Sequence, residues 1–284
     1  MMWKDIGVGV LFGLFFAFQL VLFFFAFYPP ATSLVDQSLI SYSKDVVGPI
    51  FTGLGGAMLG AFAAYAFQKN SEATREFNDS LRVLRVVKFQ LIHKLSELVS
   101  VKKNSLLAFD ENQFRFLAIG PLPESPGIHD FVDNKILDLL ANEKAAKAIE
   151  SILLGDQRYF ACFSNFKQRN KALEGYREVV SAAGLNAEMN CTFQQVVRAV
   201  EPGRLLALYG ISELSITVVD EAIQTLDMAL TEIGSALDKK FSIKGASSFT
   251  YEKIDPALFN SLKAPYFSFD ELEALVDRIR QGRE

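Results

Sequence analysis

Two long stretches without a single charged side chain constrain this sequence more than any other feature. One runs from Ile6 to Tyr28 with Gln19 as its one strongly polar side chain, and the other runs from Val46 to Phe67. A helix needs about 20 apolar residues to cross a hydrocarbon core of roughly 30 Å. Surface helices of globular domains carry a polar stripe, which neither stretch has. The sequence therefore predicts two membrane spans, 6–28 and 46–67, joined by an external loop, 29–45. The first is longer than the roughly 7–15 apolar residues of a secretory signal, and Tyr28-Pro29-Pro30 offers no small-x-small cleavage site, so it is expected to be retained.

Orientation follows from where Lys and Arg flank the spans. The connecting loop holds only Lys44, whereas Lys69, Arg75, Arg82, Arg85 and Lys88 follow the second span. Both termini are thus expected on the cytoplasmic side of a bacterial inner membrane. Those five cations are expected to set topology and to meet anionic head groups. The charge divides accordingly: −1 over residues 1–68, +4 over 69–103 and −7 over 104–284. An acidic terminal domain has no general attraction for polyanions, so direct nucleic-acid binding is not expected.

Small residues recur one turn apart in both spans: Gly9, Gly13 and Ala17, then Gly56, Gly60 and Ala64. Such stripes let membrane helices approach closely, either within one hairpin or in a homo-oligomer. Gln19 suits an interhelical hydrogen bond or, as the alternative, a pore lining. The string Gly53-Leu54-Gly55-Gly56 has no preceding strand and is not a phosphate loop.

Beyond Phe67 nothing breaks the helical pattern until Asn104. Leu84, Val87, Leu91, Leu95 and Leu98 form one apolar stripe along this stretch. Residues 105–129 are rich in Pro and Gly and read as irregular. Helices are expected near 130–140, 143–154, 156–183, 192–200, 204–240 and 269–281, with a capping box of Ser268 and Glu271 opening the last. The stretch 241–267 reads as loop. The expected fold is all-α: a transmembrane hairpin (1–68), a basic amphipathic stalk helix (69–104) and an acidic, antiparallel helical bundle in the cytoplasm (105–284).

Within that bundle Asn170 interrupts an apolar seam at Phe163, Phe166, Leu173 and Val180, and is expected to fix helix register. Arg158, Lys167, Arg169 and Lys171 form a basic set on the same segment. Lys167 and Lys171 share a face that could take a phosphate-bearing ligand or an acidic partner, or simply be solvated. Cys162 and Cys191 lie outside any CxxC pair and read as core residues. With His93 and His129 as the only histidines, and no GxSxG, Walker A, HExxH or DFG-like string, neither a catalytic residue, a metal nor a cofactor is expected.

The layout of short external loop, packable spans, continuous stalk and helical cytoplasmic domain is similar to two-pass membrane effectors of bacterial phage-defence systems, of the abortive-infection and retron-effector kind. The resemblance is one of architecture and carries no site residue. It implies a cytoplasmic domain restrained by a protein or ribonucleoprotein partner, and spans that perturb the lipid bilayer on release. Two alternatives follow from the residues alone: a non-catalytic membrane anchor that scaffolds a cytosolic partner, and a tethered sensor of a phosphate-bearing ligand.

Overall fold

A computed structural model describes residues 48–142, 145–185, 192–241 and 255–282, together with the isolated positions 17, 38, 41, 45 and 46. Among the described residues every regular element is helical, as the all-α expectation requires. None of these helices is long and apolar enough to cross a membrane. That finding overturns the transmembrane hairpin, the two-pass topology and the inner-membrane placement expected above.

The physical reason is visible at the expected second span, which opens helix α1 (Gly48–Val101). From Gly48 to Phe67 this helix presents twenty uncharged residues, five of them glycine, before Gln68 and Lys69 make it polar. Glycine adds no apolar side chain, so the stretch has about the length of a span without the apolar content of one. The expected first span, with Gly9, Gly13 and Gln19, lies outside the described residues, as does nearly all of the loop 29–45; Ala17 is described only as an exposed helical position.

The chain divides into two compact units, Met1–Phe77 and Asn78–Glu284. In the first, every side chain of α1 from Gly56 to Phe77 is exposed. Among the described residues no atom lies within 4 Å of a Cβ built on Gly56 or Gly60, so the Gly56–Gly60–Ala64 stripe has no packing partner there.

The second unit is built on two long antiparallel helices, α4 (Ala146–Ala182) and α6 (Pro202–Phe241). Gly155 meets Leu226, Arg158 meets Thr225 and Arg169 meets Ser212, so the chain direction reverses between them. The sequence suggests a break at Gly155, yet α4 runs straight through it. A Cβ there would sit 3.2 Å from Leu226 Cδ2; the missing side chain lets the two helices close up rather than ending one of them. Pro202, in the gap between the expected helices 192–200 and 204–240, instead occupies the first turn of α6, where its fixed φ and absent N–H are tolerated.

Shorter elements complete the unit. After α1 come a π-helical turn (Lys102–Leu106) and a 3-10 turn (Leu107–Phe109), then α2 (Arg115–Ala118) and α3 (Lys135–Asn142). Helix α5 (Phe193–Ala199) opens with a Thr192–Gln195 capping box, and α7 (Phe269–Arg280) with the expected Ser268–Glu271 box. A 3-10 turn (Pro256–Phe259) lies in the expected loop before α7.

Two apolar clusters lie along the α4–α6 pair. The larger joins the Leu84–Leu98 stripe of α1 to α3, to Ile152–Phe166 of α4 and to Ile216–Leu237 of α6. The smaller joins Leu173–Val180, α5, Leu205–Tyr209 and α7, with Phe116 from α2. A polar layer separates them, made by Arg169, Ser212 and the Arg115–Glu213 pair. The layer makes the register of the two helices specific, because sliding either one would bury a guanidinium without acceptors.

Candidate functional site

The basic set on α4 is dispersed by the fold. Arg169 is 1% exposed: its Nε donates to Ser212 Oγ (3.0 Å), and its Nη atoms donate to the carbonyls of Gly120 (2.8 Å) and Ile119 (2.6 Å). Burial, reinforced by Arg177, lowers its pKa to about 10. A guanidinium spent on loop carbonyls cannot face a ligand, so its place in a binding face is corrected. Arg158 turns toward α6, where it pairs with Glu221 (2.9 Å) and donates to Thr225. Lys167 and Lys171 stay exposed, one turn apart.

Asn170 does not set the register of two helices. It ties down the irregular segment beside α4: Leu122 N–H donates to its Oδ1 (2.9 Å), and its Nδ2 donates to Leu122 O (2.7 Å) and to Glu124 (3.0 Å). A pair of hydrogen bonds to one residue's backbone acts as a substitute for sheet pairing in a segment with none.

Three buried ion pairs complete this pinning of irregular chain. Lys94 of α1 donates to Asp156 and to Asp130 O (2.9 Å), while Val132 N–H donates to the second oxygen of Asp156 (3.1 Å). Lys102 repeats the pattern with Asp220 and Asn260 O, and Leu262 N–H donates to Asp220 Oδ2 (2.7 Å). Arg115 grips Glu213 through two nitrogens and donates to Lys263 O (2.9 Å). Its pKa is raised: burial opposes the charge, but the hydrogen bond and charge of Glu213, with Asp110, outweigh it. A sequence signal existed for the first two, since Lys94 falls within the Leu91–Leu95–Leu98 stripe and Lys102 lies one turn beyond Leu98.

An open polar cleft of about 260 Å³ lies between α6 and residues 261–265. Each charged group along it already has a partner: Arg115 has Glu213, Asp220 has Lys102, Glu221 has Arg158 and Lys263 has Glu111. Among the described residues no group of His, Cys, Asp and Glu could hold a metal ion. Asp220, Glu221 and Asp227, the densest acidic group on α6, do not converge either: the first two are paired, and burial raises the pKa of Asp227. Cys162 is buried, which pushes its thiol up to about 12; Cys191 lies outside the described residues.

Between exposed Glu150 and Lys167, the outward face of α4 is an uncharged strip. Leu153 (42% exposed) and Leu154 (37%) begin it, and Gln157, Ala161 and Ser164 continue it at helical spacing. Half-buried Phe160 borders it and carries exposed Phe131 in tilted contact, 4.4 Å between ring centroids. Sequence reasoning missed this strip because the core stripe of α4 is read first. Its signal is the lack of any charge opposite that stripe between Leu153 and Ser164, other than Arg158 at its flank. Of the cations expected to meet head groups, Lys69, Arg75, Arg82 and Arg85 are exposed along α1, and Lys88 is half-buried.

No family model, curated protein or solved structure matches this chain.

Proposed function

We propose that this chain is a non-catalytic helical scaffold that recruits a protein partner through the outward face of α4. The observation that carries the reading is the strip Leu153–Leu154–Gln157–Ala161–Ser164, uncharged and bordered by the tilted Phe131–Phe160 pair and by Lys167 and Lys171. An apolar centre with a charged rim is the anatomy of a protein interface, and exposed apolar area is otherwise kept small on monomers. The partner surface should be apolar, with carboxylates opposite the two lysines.

A phosphate-ligand sensor draws less support. With Arg158 and Arg169 committed elsewhere, the two exposed lysines have no convergent third donor. The effector reading loses its membrane-perturbing half along with the hairpin.

The test is the pair Leu153→Glu with Leu154→Glu in the tagged full-length chain, against Thr231→Glu on the exposed side of α6 as control. The double variant should keep the wild-type melting temperature and lose its co-purifying protein, with affinity down at least tenfold, while the control retains it. An unchanged set of co-purifying proteins from the double variant contradicts the proposal.

A further inference from the structure

Two exposed faces of the Asn78–Glu284 unit are complementary in charge and in spacing. On α1, Arg82, Arg85 and Phe89 lie on one outward face, and Phe89 is 66% exposed. Among the described residues neither arginine has a carboxylate within ion-pair distance, unlike Arg115 and Arg158 of the same unit. On α7, Phe269 rests one side of its ring near Tyr209 of α6 and leaves 48% of its surface exposed, Glu273 and Asp277 follow it at exposed positions one turn apart, and no described cation pairs with either acid.

The spacing matches when the two helices run antiparallel. Arg85 lies four residues before Phe89, and Glu273 four residues after Phe269. Arg82 lies seven before Phe89, and Asp277 eight after Phe269. At 1.5 Å rise per residue, placing the two rings together brings Arg85 opposite Glu273 at about 6 Å along the axis, and Arg82 opposite Asp277 at about 11 Å. Within one chain α7 is occupied by α5 and α6 through Leu272, Val276 and Ile279, which turns its acidic face outward.

We infer that this chain associates with a second copy of itself through these two faces, α1 of one copy against α7 of the other. The contact joins unlike surfaces, so it is made twice in a two-fold pair or once per link in an open chain. The residues it uses are distinct from those of the α4 strip.

Sedimentation of the purified full-length chain at low salt tests the inference, using two charge reversals. One variant carries Arg82→Glu and Arg85→Glu, and the other carries Glu273→Lys and Asp277→Lys; all four side chains are exposed, so both variants should fold. Wild-type protein should associate, with each variant alone weakened at least tenfold. An equimolar mixture of the two variants should regain association, because each supplies the face the other has lost. A wild-type chain that stays monomeric overturns the inference and leaves the Arg82–Phe89 face to a partner of another kind. Association that both reversals leave unchanged, or that mixing does not restore, overturns it as well.

Discussion

A lysine in or just beyond a leucine stripe is an expensive residue to fold, and Lys94 and Lys102 show what makes it tolerable. Each ammonium meets an aspartate on a core helix and a loop carbonyl, and each aspartate returns its second oxygen to a loop N–H. Lys94 also lies 5.1 Å and 4.8 Å from the ring centroids of Tyr159 and Phe160, within the range in which a cation is drawn to a ring face. Such pairs contribute specificity more than stability, while breaking one strands a buried charge. Asp156→Ala should therefore lower unfolding free energy by about 3–5 kcal/mol. Lys94→Met combined with Asp156→Leu should cost markedly less than that single change. Urea unfolding of both variants checks this, and a single variant within about 1 kcal/mol of wild type would show the pair to be solvated. These pairs were only half legible in the sequence: the stripe marks Lys94 as anomalous, but its partner lies 62 positions away, beyond the reach of periodicity.

At the scale of elements, local signals did well and tertiary ones did not. The Ser268–Glu271 spacing announces the start of α7, and both reciprocal bonds form, Ser268 N–H to Glu271 at 2.7 Å and Glu271 N–H to Ser268 Oγ at 3.3 Å. Capping depends on a four-residue neighbourhood and so can be read locally. Gly155 could not be read that way, because its meaning depends on Leu226 across the pair. The cap makes a pH prediction. Hydrogen bonds from Ser268 hold the Glu271 carboxyl below its ordinary 4.5. A lowered acid stabilises the fold above its unfolded pKa and loses that contribution as pH falls through the folded value. Wild type should melt above Glu271→Gln at neutral pH, and the gap should close as the pH falls below the ordinary carboxylate value. A gap unchanged by acidification would contradict the assignment. Ser268→Ala removes the cap itself and should cost about 1 kcal/mol.

For the whole molecule, the helical class was written in the sequence and the placement of its apolar helix was not. Uncharged length alone made 46–67 a span, whereas the folded helix carries glycine through that stretch and turns polar at Gln68. The two apolar clusters and the polar layer between them arise from pairing α4 with α6, which no single segment encodes. The candidate face on α4 follows from the same pairing: once Arg158 and Arg169 are drawn inward, the strip ahead of Lys167 is left uncharged. Site-specific photo-crosslinking tests that face most directly, with the reactive residue placed at Gln157 or Ser164 and, as a control, at Thr231. The account predicts a crosslink to a second, distinct protein from Gln157 and Ser164 and none from Thr231. Crosslinks absent from both α4 positions but present at Thr231 would contradict it.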